Sequence, residues 1–288
     1  MSKLRIYFFD FWKYLLLKVK MFDKQTVHFE GGLGSQILSF IIYNERLKSS
    51  NKFIPADLQY FKNISSDFTE KNGLSMWKWR LDRYGLNITD LPEDNKFKKS
   101  IKKYFFVRNS DNVDIFYNFR ETKSSEYISK LPIDLENVIN YLEKTFASPL
   151  HNFGIIHIRR GDYLKVASSI MNVEEIIDLI LKIKNLMPKN ILISSDSLLE
   201  KTEIDLLNRT LTEFNYVFIS PNESDLLVHD LMRYSKVLIA SNSTFSFTAG
   251  LLSNKDCLFF FPTKYFGEGE TQDSKAWLFR QPFGYLMN

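Results

Sequence analysis

The sequence predicts an α/β protein on a doubly wound parallel sheet, and three observations carry that expectation. From residue 151 onward, short β-like runs alternate with helical stretches, the pattern of parallel strands joined by crossover helices. Near the start, one further strand, glycine turn, helix and strand follow in order. The 288 residues are 44% hydrophobic and 15% aromatic, enough to bury the core of one large domain or of two ordinary ones.

Taken in order, Thr26 to Glu30 reads as a strand, Gly31 to Gln36 as a tight turn, Gln36 to Lys48 as a helix and Phe53 to Ile54 as a second strand. Residues 58 to 150 are rich in Lys, Asn, Asp and aromatics without a clear period, and helices are expected there at Ser75 to Tyr84 and Leu135 to Phe146. A boundary near Ser148-Pro149 separates an N-terminal part, 21–149, from a C-terminal part, 150–288. In the latter, strands are expected at Phe153 to Ile158, Ile191 to Ser194, Tyr216 to Ser220, Val237 to Ala240 and, last, Cys257 to Phe261. The intervening helices are Val173 to Met187, stopped by Pro188, then Leu198 to Asn208, Ser224 to Tyr234 and Phe245 to Leu252. Sheets of this kind bind ligands at the carboxyl ends of their strands.

Composition narrows the function classes. With 38 basic and 34 acidic residues the net charge is only +4, and no stripe interleaves aromatic with basic residues, so nothing points to nucleic acid. The single Cys257, in the apolar run CLFFFP, excludes an intramolecular disulfide and reads as a buried thiol. Four His and one Cys leave few ligands for zinc. Residues 1–20 are apolar and aromatic but broken by Lys3, Arg5, Asp10, Lys13, Lys18 and Lys20, which disqualifies them as a spanning helix or a signal peptide. Cations beside Phe8, Phe9, Phe11, Trp12 and Leu15 to Leu17 suit a helix lying in a membrane interface; a helix packed on the protein's own surface fits equally.

Three loops after expected strands could carry chemistry. In GGLGSQ, small residues such as Gly32, Gly34 and Ser35 would let backbone N–H groups approach a ligand at a helix N-terminus, although a sharp structural turn explains them too. The loop lacks the Lys of a P-loop, and Ile37 occupies the third glycine position of a dinucleotide fingerprint. In HIRRGDY, Arg159 and Arg160 leave a buried strand and can form forked hydrogen bonds to phosphate oxygens, with Asp162 able to fix a guanidinium. The alternative is a surface ion-pair cluster. In SNSTFS, Asn242, Ser243 and Thr244 exceed what a helix N-cap requires. A fourth loop, Ser194-Ser195-Asp196, offers hydroxyls and a carboxylate to a ribose or base edge. No Asp-x-Asp triplet is present to hold a divalent cation against a diphosphate, so a departing diphosphate would need arginines to neutralise it.

These motifs, GGLGSQ at 31–36, HIRRGDY at 157–163, ISSD at 193–196 and SNSTFSFTAGLL at 241–252, resemble in content and order those of the α-1,2-fucosyltransferase family (glycosyltransferase family 11-like), over roughly residues 25–260. The resemblance implies a GT-B-type fold, two Rossmann-like domains facing a cleft, with the acceptor on the N-terminal side and GDP-fucose in the C-terminal domain. It implies an inverting, metal-independent transferase with no cofactor. By position Arg159 would hold the donor β-phosphate, supported by Arg160 and Asp162. His157, Ser195, Asp196, Asn242, Ser243, Thr244 and Phe245 would line the GDP pocket, and Gly32, Gly34, Ser35 and Gln36 would close over the reacting sugar. Three positions depart from the family pattern: Ser35 stands for its usual Asn, Phe247-Thr248 for Trp-Trp, and Ser195 for an Asp.

Inverting transfer takes a proton from the acceptor hydroxyl as the bond to GDP breaks, and Glu30, His28 and Asp162 are the candidate bases. The expected acceptor is a galactose-type hydroxyl of a surface glycan, such as a lipid-linked lipopolysaccharide O-antigen or capsule intermediate. Such a bacterial enzyme would be cytoplasmic, peripheral to the inner membrane face where residues 1–20 bind lipid. Transfer of a different nucleotide sugar, or an inactive glycan- or nucleotide-binding homologue, are the competing expectations.

Overall fold

The computed structural model describes residues 27–29, 31–49, 54, 56–58, 61, 69–71, 74–76, 78–91, 121–146, 152–161, 171–262, 277–280 and 285–287. The segment 1–20, the boundary at 148–149, Glu30 and Asp162 lie outside them.

The N-terminal part opens with the expected βαβ unit. Strand β1 (Val27–His28) leads through the glycine turn into helix α1 (Leu33–Ser49), and β2 (Ala56–Asp57) pairs with β1 in parallel, a few residues beyond the expected position. A short hairpin of β3 (Thr69–Lys71) and β4 (Leu74–Met76) and a 3₁₀ turn at Leu81–Tyr84 occupy the place of the helix expected at 75–84. Leu81 is buried but its neighbours are not, so the segment lacks the continuous apolar stripe that supports an α-helix. Helices α2 (Glu121–Lys130) and α3 (Leu135–Phe146) follow, the second at the expected position.

The C-terminal part is a sheet in the order β11-β10-β9-β8-β5-β6-β7. Five strands, β5 (Phe153–Ile158), β6 (Asn190–Ser195), β7 (Asn215–Phe218), β8 (Val237–Ile239) and β9 (Leu258–Pro262), are parallel and joined by helices, which makes the class α/β. Helices α4 (Val173–Ile183), α5 (Lys201–Thr210), α6 (Asp225–Tyr234) and α7 (Thr244–Leu251) make the crossovers. Helix α5 starts three residues later than expected, because Leu198 is 86% exposed and Glu200 begins the helix, its N–H bonded to Glu203 Oε2 at 2.9 Å. The expected last strand is not the last, since β10 (Trp277–Arg280) and β11 (Tyr285–Met287) add an antiparallel edge.

The strands sort their side chains with period two, as pleating requires. In β5, Phe153 and Ile155 join one core with α6 and α7, whereas Ile156 and Ile158 join the other with α4 and α5. The first core runs across residue 149: Phe29, Ile37, Ile41, Leu81 and Tyr127 belong to the same apolar cluster as Leu231, Phe247 and Phe261.

Candidate functional site

Strand β5 is flanked by β6 on one side and β8 on the other, so the crossovers leaving the sheet centre diverge there. That reversal of strand order is where doubly wound sheets leave a crevice for ligands. The loops at its two lips are the arginine motif after β5 and the polar motif after β8. A cleft of about 620 Å³ opens at this point, a volume typical of small-ligand sites. Its walls are the glycine loop (Gly31 to Ser35), Arg80, His157 and Arg159, Ser194 to Asp196, the stretch Ser220 to Asp225, Val228, and Ser243 to Phe245.

The two arginines, adjacent in sequence, have opposite fates. Arg159 faces the cleft, and its Nη1 is paired to Asp196 Oδ2 at 2.8 Å. Arg160 turns away and is 5% exposed. Its Nε donates to Glu203 Oε1 at 2.9 Å, Nη2 pairs with the same oxygen, and Nη1 donates to the carbonyls of Arg159 at 3.0 Å and Met171 at 2.9 Å. The expectation that Arg160 reaches the ligand is therefore corrected: Glu203 occupies its guanidinium outside the cleft wall. Asp196 also differs from expectation. Its carboxylate, read as a ribose or base contact, accepts from the Arg160 backbone N–H at 2.7 Å as well as from Arg159, so it fixes the arginine loop to β6. Gly161 makes this approach possible: its φ is +34°, and a Cβ there would sit 2.3 Å from Asp196 Oδ2.

Helices α1, α6 and α7 all begin at the cleft. A Cβ on Gly34 would lie 2.4 Å from Phe245 Cα, so only glycine allows the first turn of α1 to touch the first turn of α7. Ser35 Oγ and Thr244 Oγ1 join the two starts at 3.1 Å. Neither α1 nor α7 carries an acidic residue in its first turn, whereas α3, α4, α5 and α6 each do. The partial positive ends of α1 and α7 are thus left uncompensated, which suits an anion, whereas Asp225 compensates that of α6.

Phe245 carries the cleft wall inward between two buried histidines, with ring centroids 5.7 Å from His157 and 5.2 Å from His229. Burial, with a smaller contribution from the Arg159 charge, depresses the His157 pKa to about 3. His157 Nδ1 is 2.7 Å from Ser241 Oγ. The His229 pKa is pushed well below its usual value, first by burial and then by Arg233, Arg83 and His157. Thr248 Oγ1 spends its proton on the Thr244 or Phe245 carbonyl, at 2.9 and 3.1 Å, and therefore accepts from His229 Nε2–H at 3.2 Å. Both rings are neutral; His157 belongs to the cleft wall and His229 is buried behind Phe245.

Gln36, expected to face the sugar, is fully buried. Its Nε2 donates to the carbonyls of Gly31 and Lys78, both at 2.9 Å, and its Oε1 accepts from the Arg80 N–H at 2.8 Å. It ties the glycine turn to the 78–80 segment and so brings Arg80 to the cleft. Sequence reasoning missed Arg80, because the WKWR stretch has no motif and its placement rests on a partner 44 positions away. Of the other expected residues, Gly32, Gly34, Ser35, His157, Arg159, Ser195, Asp196, Ser243, Thr244 and Phe245 line the cleft, while Asn242 is buried beside it. Among the described residues, no group of three His, Cys, Asp or Glu side chains is arranged to hold a metal ion. No described helix is long and apolar enough to cross a membrane.

No protein-family model and no curated protein matches the chain. Two solved structures are similar over 41% of it. One is POFUT1 in complex with GDP, at 18% identity with a TM-score of 0.32 over 42% of that chain. The other is POFUT1 in complex with GDP-fucose, at 16% identity with a TM-score of 0.33 over 41% of that chain. Either similarity thus spans about two fifths of the solved protein.

Proposed function

We propose that this chain is an inverting, metal-independent glycosyltransferase that moves fucose from GDP-fucose to a galactose-type hydroxyl, in α-1,2 linkage, on a surface glycan such as a lipopolysaccharide O-antigen or capsule intermediate. The observation that carries the reading is Arg159 at the switch point of the sheet, facing two helix starts with no acidic residue in their first turns. That arrangement suits a diphosphate: a forked cation on one side, backbone N–H groups and helix dipoles on the other. As the sugar–phosphate bond breaks, negative charge grows on the β-phosphate, and a preorganised guanidinium stabilises it without a metal. Asp196 aligns Arg159 in advance, so little reorganisation accompanies the reaction. The choice of GDP-fucose among nucleotide sugars rests on the family resemblance of the four motifs. Glu30 and Asp162 are the proposed bases for the acceptor proton.

The test is GDP release from GDP-fucose with galactose-terminated acceptors in the presence of EDTA. Wild type should turn over, and Arg159→Ala should fall by roughly 100-fold or more. An absolute requirement for added Mn²⁺ or Mg²⁺ would overturn the metal-free mechanism. Tight GDP binding with no turnover on any acceptor would identify a nucleotide-binding homologue instead.

A further inference from the structure

Arg80 is the second cation of the cleft, and neither motif nor spacing marks it. Its Nη2 is 3.1 Å from Asp225 Oδ2, while its Nε is buried with no hydrogen-bond partner among the described residues. A guanidinium N–H shut away from water without an acceptor is costly, so Arg80 has hydrogen-bonding capacity left to give. Two features fit it for a second acceptor. Its backbone is clamped at the cleft by Gln36 Oε1, so the side chain can exchange partners while its Cα stays in place. Asp225 lies in the first turn of α6, where the helix dipole stabilises a carboxylate that has given up its arginine.

We propose that Arg80 binds the anionic group of the cleft's ligand by exchanging Asp225 for it, and that Gln36 acts as the positioning residue that holds Arg80 there. The inference rests on the reading of the cleft as a nucleoside diphosphate site. In the free protein Asp225 neutralises Arg80, as Asp196 neutralises Arg159. A diphosphate then meets one guanidinium from the arginine loop and one from the 78–80 segment. Because Gln36 bonds the Gly31 carbonyl and the Arg80 N–H together, the glycine loop and Arg80 form one hydrogen-bonded unit. Asp225 competes with the ligand for Arg80, so removing its charge should strengthen binding, and most of that gain should vanish when Arg80 is replaced as well.

Isothermal titration of wild type, Arg80→Met, Asp225→Asn and Arg159→Met with GDP, and with guanosine as the uncharged control, tests this. Arg80→Met should weaken GDP about 10- to 100-fold, the size of one charged hydrogen-bonding contact, and leave guanosine unchanged. Asp225→Asn should tighten GDP several-fold. Thermal melts verify that each variant is folded, and if Arg80→Met fails to fold, Arg80→Lys and the Arg80→Lys/Asp225→Asn pair take its place. A GDP loss in the former and a smaller Asp225→Asn gain in the latter than in wild type support the proposal, and the absence of both changes overturns it. Wild-type affinity in Arg80→Met, or weakened GDP binding in Asp225→Asn, overturns the proposal while the Arg159→Met loss leaves the diphosphate reading standing. No binding of GDP by wild type overturns that reading and the Arg80 proposal with it.

Discussion

Arg159 and Arg160 show how two identical side chains adjacent in the chain take different roles. Arg159 pairs with Asp196 and stands on the cleft wall; Arg160 is enclosed by Glu203 and two carbonyls. The same substitution should therefore give opposite phenotypes. Arg160→Met leaves Glu203 partly buried without its partner and should cost roughly 3 kcal/mol of stability by chemical denaturation. Arg159→Met should melt close to wild type yet lose diphosphate binding. Equal stability losses in the two variants would contradict the division of labour. The glycine that follows them matters for the same loop, since any side chain at Gly161 would push Asp196 off both of its contacts.

Helix α7 gathers most of the site at one element. Ser243 caps it, accepting from the Phe245 N–H at 3.3 Å, Thr244 reaches Ser35, Phe245 separates the two histidines, and Thr248 holds the second of them. This packing carries a pH signature. Both His157 and His229 are neutral in the fold, whereas the unfolded chain takes up their protons near pH 6.5. Stability is then full above pH 6.5 and is lost as the pH falls below it, through the window toward about 3 in the case of His157, by up to ~1.4 kcal/mol per pH unit for each ring. His229→Phe should flatten the acid limb of a melting-temperature profile between pH 6.5 and 4. An unchanged slope would mean that the ring is charged in the folded protein.

At the scale of the molecule, the N- and C-terminal parts are joined by a buried charge cluster as well as by their shared core. Asp230, fully buried, accepts from Arg83, from the Asp134 N–H at 3.0 Å and from Arg233 Nη1 at 3.3 Å, while Arg233 Nη2 donates to the Leu131 carbonyl at 2.6 Å. Three chain segments thus meet on one carboxylate. Asp230→Ala leaves two guanidinium groups without their acceptor, one of them buried, and should destabilise the protein by roughly 3–5 kcal/mol in a denaturant titration. A loss below about 1 kcal/mol would show that water reaches the cluster.

The sequence by itself determined the class and the axis of the site. The run Phe153 to Ile158 and its successors are legible because a strand buried on both faces must be almost continuously apolar, and the polar loops that follow must lie at the strands' carboxyl ends. Those are local consequences of pleating and burial. Only the tertiary structure decided which arginine enters the cleft, that Gln36 serves as a buried tie, and that Arg80 joins the site. Each of those outcomes depends on a hydrogen bond between residues dozens of positions apart: Arg160 with Glu203, Gln36 with Lys78 and Arg80. No periodicity encodes such pairs, because they are fixed by where rigid elements stop and which buried polar group then lacks a partner.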